Sequence, residues 1–251
     1  MYTKQFVILA KSYKEGGWCI AGREVQLNES KTTYSINDAW IRPVSDDLSH
    51  HGAISNDHCR YEDGKLPAVY DIVEVDFIGV QQEPGQPENE LIANTFWRKL
   101  ESIEPNGINS FEGNVIDVWN QEVGQDYVNE AYELGGLIEN SLMLIKPENF
   151  EITLSQIFND FEGQYKRNIR ASFSYKGIEY SNISITDPAT RKMLKNQYPH
   201  EGGEPITTKL RAGDNCFLCM SLGPRYTEYN RHYKLVATVF DFDGYIQGTY
   251  S

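Results

Sequence analysis

The chain has 251 residues, of which 40% are apolar, 24% charged and 12% aromatic, and its formal net charge is −13. This composition excludes a disordered chain and fits either one large domain or two small ones. No apolar run approaches the roughly 18 residues of a membrane-spanning helix, and the first residues show no cleavable leader. We therefore expect a cytoplasmic protein without a membrane partner.

The negative charge is concentrated in the first part of the chain. Residues 1–150 hold 11 basic and 25 acidic side chains, whereas residues 151–251 hold 12 basic and 11 acidic ones. Because phosphate contacts need lysine and arginine to displace counterions, only the second part suits a polyanion. The four cysteines are too few for a disulfide scaffold, and we expect them to be free thiols.

Strand patterns predominate in the first part of the chain. YDIVEVDFIGV (70–80) alternates with period two, which predicts a strand with one buried face. Gly16 and Gly17 predict a tight hairpin between two further strands. NTFWRKLESI (94–103) has helical spacing, and a second short helix is predicted near residues 126–134. The other strand patterns are FVILA (6–10), WCIAGREVQL (18–27), AWIRPV (39–44) and SLMLIKP (141–147).

The second part continues the strand pattern. Lys176 and Gly177 predict a tight hairpin. Pro188 follows Thr186 and Asp187, either of which can cap a helix, so we predict a helix over residues 188–198. The strand patterns of this part are FEITLSQIF (150–158), KRNIRASFSYKG (166–177), IEYSNISIT (178–186), CFLCMSLG (216–223) and YKLVATVFDF (233–242).

Many short strands with few helices predict an all-β protein built from small barrels, because barrel closure removes exposed strand edges. A doubly wound sheet would need helices between most strands, and those helices are missing. The turn at residues 146–149 is the predicted junction. We expect a first barrel with long loops and a short helix over residues 1–149, and a second barrel over residues 150–251.

No catalytic signature stands out. The sequence has no GxGxxG or GxxxxGK[ST] phosphate loop, no GxSxG elbow and no HExxH pair. Cys216 and Cys219 form a CxxC, but strand geometry sends residues three apart to opposite faces, which favours core thiols over zinc ligands. His50, His51 and His58 match no helix-borne or finger-type ligand set. We expect no cofactor and no metal, and we favour a binding protein over an enzyme.

Basic and aromatic side chains are interleaved along the second part. Cations along the backbone and rings on which bases stack are what holds a single strand of nucleic acid. Alternatively, the tyrosines are half-buried barrel residues and the cations balance local acids. The candidate nucleic-acid-binding residues are Lys166, Arg167, Arg170, Tyr175, Arg225, Tyr226, Arg231 and Lys234.

The segment WIRPVS (40–45) places an arginine within a strand pattern, directly before a proline. In an extended chain Trp40 and Arg42 lie on the same side. Two interpretations follow. Arg42 either stacks on Trp40 and pairs with a carboxylate of the 70–80 strand, or it lines a ligand pocket together with Arg23.

Several segments, in order over most of the chain, resemble one bacterial family, the proteins with a dual OB-containing domain. They are VILAKSYKEGGWCIAGRE (7–24), WIRPVS (40–45), YEDGKLPAVYDIVEV (61–75), QPEN (86–89), RASFSYKGIEYSNISITDP (170–188), SLGPRY (221–226) and YKLVATV (233–239). The resemblance implies two OB-type barrels in tandem, nucleic-acid binding, and a setting in bacterial conflict or antiviral systems. It supplies no catalytic residue.

Three functions follow from these observations. The first is a non-catalytic protein that binds single strands or RNA through its second barrel. The second is an interaction module whose acidic first barrel docks a partner protein of a defence system. The third is a sensor of a nucleotide-like small ligand, or an enzyme, with Arg23 and Arg42 in its pocket.

Overall fold

The protein is represented by a computed structural model that describes residues 1–14, 16–30, 33–47, 52–81, 83–119, 125–129, 136, 138–160, 163–197, 206–209 and 215–242. Within this part of the chain the strands form one six-stranded and one eight-stranded sheet, and the helices are short. The predicted all-β class is therefore confirmed.

The first sheet contains all four strands that the sequence patterns predict before residue 100. Its strands are β1 (Tyr2–Lys14), β2 (Gly17–Leu27), β3 (Tyr34–Val44), β4 (Asp71–Val80), β5 (Asn89–Ile92) and β6 (Arg98–Ser102). β1 and β2 form the predicted hairpin, with Lys14 opposite Gly17. Gly16 has a φ of 84°, a left-handed conformation that glycine adopts without steric cost.

The first sheet closes into a five-stranded barrel. Its strands follow the order β1-β2-β3-β5-β4, and β4 returns to pair with β1. β3 and β5 run parallel, and the short helix α1 (Asn56–Cys59) lies between β3 and β4. This strand order is that of the OB-type barrel that the family resemblance implies.

Apolar side chains fill the interior of this barrel. Phe6, Ile8, Ile20, Ile41 and Val73 each have no exposed surface. Burial in β1 is continuous from Phe6 to Ala10 rather than alternating, so this strand is covered on both faces. The filled interior counts against a small ligand bound within the barrel.

The second sheet contains the remaining strands. They are β7 (Tyr127–Asn129), β8 (Leu142–Ile145), β9 (Glu148–Asn159), β10 (Gln164–Tyr175), β11 (Ile178–Ile185), β12 (Ile206–Lys209), β13 (Cys216–Leu222) and β14 (Arg231–Asp241). The order β9-β10-β11-β14-β13 repeats the order of the first barrel, and β11 and β14 run parallel like β3 and β5. β12 and β8 extend the two ends of this series, and β7 pairs with β14.

Local signals in the second sheet act as predicted. Lys176 and Gly177 have φ values of 49° and 79° and join β10 to β11 in a two-residue hairpin, as primed turns require. The helix α2 (Pro188–Met193) lies between β11 and β13. Asp187 caps it by accepting a hydrogen bond from the Ala189 amide over 3.0 Å. A 3₁₀ turn continues α2 to Asn196.

The helix predicted over residues 94–103 is wrong, because this segment forms β6. Arg98 pairs with Glu74 and Asp76 of β4, at 2.8 and 3.0 Å, and these cross-strand contacts require an extended chain. Trp97 is buried just before the strand. In the second predicted helix, Tyr127–Asn129 form β7 instead, and residues 130–134 lie outside the described part of the chain.

The chain divides into two compact units. The first contains Met1–Glu112 and Ile138–Leu142, and the second contains the described residues of Gly113–Leu137 and of the chain from Met143 onward. The first unit therefore includes a short segment from a later part of the sequence.

Candidate nucleic-acid interface

The loop between β13 and β14, residues 223–230, presents two stacked tyrosines to solvent. The ring centroids of Tyr226 and Tyr229 lie 5.6 Å apart, with the planes 21° from parallel. The two residues are 50% and 55% exposed. The Tyr226 amide donates to the Arg231 carbonyl over 2.8 Å, which closes the base of the loop. This segment, the tyrosine loop, thus displays two aromatic rings in a defined arrangement.

Arg231 begins β14 directly after the tyrosine loop. Its guanidinium carbon lies 3.9 Å from the ring centroid of Tyr127 and 6.0 Å from that of Tyr229. Tyr233 contacts the rings of Tyr226 and Tyr127 edge-on, at centroid distances of 6.3 and 6.4 Å. Tyr127 reaches this place because β7 pairs with the start of β14. The rings and the guanidinium therefore form one cluster at the base of the loop.

Glu228 places a carboxylate within the tyrosine loop. Its hydrogen bond raises the pKa of the Tyr226 hydroxyl, and its negative charge raises the pKa of Tyr229. Both phenols therefore remain neutral at physiological pH. Because a carboxylate repels phosphate, a nucleic acid would turn its bases rather than its backbone toward Glu228.

A second exposed group lies where β9 and β10 meet. Lys166 and Arg167 are exposed on β10. Phe158 is 48% exposed, and its ring packs edge-on against that of Tyr165 at a centroid distance of 5.2 Å. Phe158 and Tyr165 lie directly opposite each other in the two strands. This end of the sheet again combines cations with accessible rings.

The strand register sets the spacing between these two groups. Arg170 lies opposite Ser184, and Ser184 lies opposite Leu235. Since β10 is antiparallel to β11 while β14 is parallel to it, Arg167 and Arg231 are displaced in opposite directions from this row. They are seven positions apart along the strands, which corresponds to about 23 Å. The predicted cations therefore form two groups rather than one patch.

Two of the predicted binding residues are buried and cannot contact a ligand in this conformation. Tyr175 is 3% exposed, and its hydroxyl donates to the Val115 carbonyl over 3.1 Å. Lys234 is 1% exposed, and its Nζ lies 5.3 Å from the ring centroid of Tyr180. Both side chains are on the inward face of their strands, which a count of basic and aromatic residues does not reveal. We therefore exclude them from the interface.

Two further predicted residues are half-buried. Arg170 donates to the carbonyl of Asn182 over 3.3 Å, so its guanidinium lies along the β10–β11 face. Arg225 lies in the tyrosine loop next to Tyr226. Both keep part of their surface accessible to solvent. They extend the two exposed groups without joining them.

In the first unit, Arg42 holds together segments that are distant in sequence. Its Nε forms an ion pair with Glu88 at 3.2 Å, and its Nη2 donates to the Ser141 hydroxyl over 2.6 Å. The Ser141 amide and hydroxyl both donate to Glu88. The predicted partner on the 70–80 strand is wrong. Because β3 pairs with β5 and places Arg42 opposite Asn89, the nearest carboxylate is that of Glu88.

Arg23, rather than Arg42, stacks on Trp40. The two residues lie opposite each other in β2 and β3, and the guanidinium carbon is 5.3 Å from the ring centroid. The Nη2 of Arg23 also pairs with Asp38 at 2.6 Å. Arg23 and Arg42 are thus bound to separate acids. Their positions give no support to a small-ligand pocket that would need both.

The cysteines of the CxxC lie in the core. Cys216 and Cys219 are fully buried in β13, and burial raises the pKa of the Cys216 thiol. Among the described residues, no three or more His, Cys, Asp or Glu side chains come together in a way that could hold a metal ion. His50 and His51 lie outside the described part of the chain.

Comparison with protein families now identifies the fold. A family model of the dual OB-containing domain matches residues 4–239. The chain belongs to this family. Searches of curated proteins and of solved structures found no match. Within its described residues, this dual OB protein has no helix with the length and apolar character needed to cross a membrane.

Membership of the dual OB-containing domain family allows the positions of the two exposed groups to be compared with the places where OB barrels bind ligands. OB barrels bind oligonucleotides on their second and third strands and through the loops that join strands 1 to 2 and 4 to 5. In the second sheet, β10 and β11 are the second and third strands, and the tyrosine loop joins the fourth to the fifth. Phe158 and Tyr165 flank the connection from the first to the second.

The candidate residues predicted from the sequence do not include five aromatic residues of these groups in the dual OB fold, namely Tyr127, Phe158, Tyr165, Tyr229 and Tyr233. Phe158 carries a usable signal, since it is a large apolar residue next to the polar residues that end a strand. Tyr127 carries none, because only the pairing of β7 with β14 brings it to Arg231.

Proposed function

We propose that this protein is a non-catalytic module that binds single-stranded nucleic acid through its second unit. The observation that carries the proposal is the exposed stack of Tyr226 and Tyr229 beside Arg231, in a loop at which OB barrels bind ligands. Each base that stacks on an aromatic side chain contributes about 1 to 3 kcal/mol, and every base has a face to stack. The proposed site is therefore tolerant of sequence.

The second exposed group indicates the path that a bound single strand of nucleic acid follows across the protein. A nucleic-acid strand that leaves the tyrosine loop and crosses β10 and β11 reaches Lys166 and Arg167 after about 23 Å. That length suits the lower end of the range of about 4 to 16 nucleotides bound by one OB fold. The cations then bind phosphates, while the rings at each end stack on bases.

The proposal is tested by titrating the full chain with fluorescein-labelled 12-nucleotide strands of mixed sequence, DNA and RNA separately, and measuring anisotropy. We expect either or both single strands to bind more tightly than the matching duplex. With three to five phosphate contacts, the slope of log K against log salt should be about −2 to −3.5. Failure of both single strands to bind at low salt would overturn the proposal.

The biological setting forms a second part of the proposal. We propose a bacterial conflict or antiviral system, in the cytoplasm, with nucleic acid or a partner protein of that system as the target, because this is the setting that the resemblance to the dual OB-containing domain family implies. Deletion of the gene from its native host should then change the plating efficiency of at least one phage. Unchanged plating across a broad phage panel would argue against this setting.

A further inference from the structure

The outer face of the first barrel carries a groove of about 630 Å³. Residues of β1, β2 and β3 form most of its lining, and Glu74 of β4 completes it. Its volume lies within the range of about 300 to 1,000 Å³ that is typical of ligand sites. β2 and β3 are the second and third strands of this barrel, which form the face where OB barrels bind ligands.

The lining of the groove is rich in groups that both donate and accept hydrogen bonds. Gln26 and Ser35 lie opposite each other in β2 and β3, and both are exposed. Asn37 adds an amide group from β3 that donates one hydrogen bond to Glu24, whereas the amide of Gln5 in β1 is already bonded to Glu74 and to the Leu27 backbone. Because an amide offers two donors and one acceptor, such a surface matches the alternating N–H and C=O groups of an extended polypeptide.

The charge of the groove selects the kind of polypeptide. Glu24, Asp38 and Glu74 line it, together with one amine, that of Lys4. Lys4 is paired with Glu90, which lies outside the lining, so its charge is already compensated. Phosphate-bearing ligands are therefore repelled, while a cationic ligand is attracted.

The carboxylates of the groove differ in how they are paired. Asp38 pairs with Arg23 at 2.6 Å, and Glu74 pairs with Arg98 at 2.8 Å. Glu24, in contrast, accepts a hydrogen bond from the neutral amide of Asn37 over 2.7 Å. Among the described residues of the lining, Glu24 is therefore the acid that has no cationic partner. The surrounding unit strengthens the preference for a cationic ligand, since residues 1–112 carry 18 acidic and 10 basic side chains.

We propose that this groove binds an extended segment of a partner protein that carries lysine or arginine side chains, with Glu24 pairing with one of them. The inference does not depend on nucleic-acid binding, because it rests on the first unit alone. It makes the first barrel a docking site for protein. A basic tail or linker of a partner subunit is the occupant that fits the charge, the amides and the size of the groove.

The test uses the full chain and two labelled ten-residue peptides, alternating lysine-serine and alternating glutamate-serine, at low salt. We expect the lysine peptide to bind and the glutamate peptide not to bind. Glu24→Lys should weaken binding about tenfold or more, since it replaces the attraction with like-charge repulsion. Glu101→Lys, an equal change of charge at an exposed position of the same unit, should weaken binding less than about twofold.

A second variant keeps the test informative if Glu24→Lys fails to fold. Ser35→Trp fills the groove without changing charge and should also reduce binding of the lysine peptide about tenfold. Equal loss of binding in Glu24→Lys and Glu101→Lys would overturn the proposal, because the attraction would then be diffuse. Absence of wild-type binding to the lysine peptide would overturn it as well. Oligonucleotide binding by the same variants should be unchanged, which separates this inference from the proposed function.

Discussion

Arg42 and Glu88 form an ion pair inside the first unit, with the Arg42 Nε 3.2 Å from a carboxylate oxygen of Glu88. Their side chains are 13% and 3% exposed. Ser141 bonds to both, so this pair joins β3, the loop before β5 and the segment 138–142. Arg42 of the WIRPVS segment therefore has a structural role, because it connects these three segments of the first unit.

We predict that Arg42→Ala lowers the stability of the first unit by about 3 kcal/mol, because it leaves the Glu88 carboxylate buried without its cation. Differential scanning calorimetry of the full chain measures this loss. Arg60→Ala is the matched control. Arg60 pairs with Asp57 on the surface, at 3.2 Å and 43% exposure, and exposed pairs contribute little. Equal melting of the two variants would contradict the structural role of Arg42.

Tyr226→Ala and Tyr229→Ala should each weaken binding of a single-stranded 12-mer by about 5-fold to 150-fold, the equivalent of one lost base stack. Anisotropy titration at fixed salt measures the change. Tyr13→Ala is the control, since Tyr13 of the first unit is 57% exposed, close to the 55% of Tyr229. If Tyr13→Ala weakens binding as much as the other two variants, the tyrosine loop is not the site.

Lys166→Ala and Arg167→Ala should make binding less sensitive to salt. Each phosphate contact that is lost reduces the slope of log K against log salt by about 0.7 for a single strand. Lys192→Ala, an exposed lysine of α2, serves as the control and should leave the slope unchanged. An unchanged slope in Lys166→Ala and Arg167→Ala would place the backbone contacts elsewhere.

Lys234 gives a prediction about pH. Burial lowers its pKa to about 8, against the attraction of Asp117 and Asp126, and its Nζ has no hydrogen-bond partner among the described residues. In the unfolded chain the pKa of lysine is about 10.4, so between these values the unfolded state binds more protons and stability rises with pH. The gain in folding stability is complete near the pKa of lysine in the unfolded chain, and it is absent below the pKa of Lys234 in the folded protein.

Lys234→Met should remove this rise while keeping the volume of the side chain. We expect the variant to melt at or above the wild-type temperature at pH 7, and its stability to increase less from about pH 7.5 to 9.5. Chemical denaturation at several pH values measures both effects. The prediction fails if the wild type and the variant show parallel pH profiles.

The sequence predicted most of the fold because the decisive signals are local. Alternating apolar residues marked β4, the pair Lys176-Gly177 marked the β10–β11 hairpin, and Asp187-Pro188 marked the start of α2. β6 was missed because Arg98 finds its acids on another strand, and no local pattern contains that contact. Helical spacing within ten residues was outweighed by cross-strand pairing.

The candidate site was only partly predictable, because composition does not say which face of a strand a residue occupies. Tyr226 and Arg231 were identified from their place among basic and aromatic residues, and their backbones are hydrogen-bonded to each other. Tyr175 and Lys234 also lie among basic and aromatic residues in the sequence, but their side chains are buried. Knowledge of the register, which depends on long-range pairing, is needed to separate the two cases.

Photo-crosslinking locates the nucleic-acid site on the protein without relying on a substitution. A single strand that carries 5-iodouracil at each of several positions is irradiated with the full chain, and the crosslinked peptides are identified by mass spectrometry. We expect crosslinks to aromatic residues of the tyrosine loop and of the strand after it, namely Tyr226, Tyr229 or Tyr233. Crosslinks confined to residues 1–112, with none in residues 223–233, would contradict it.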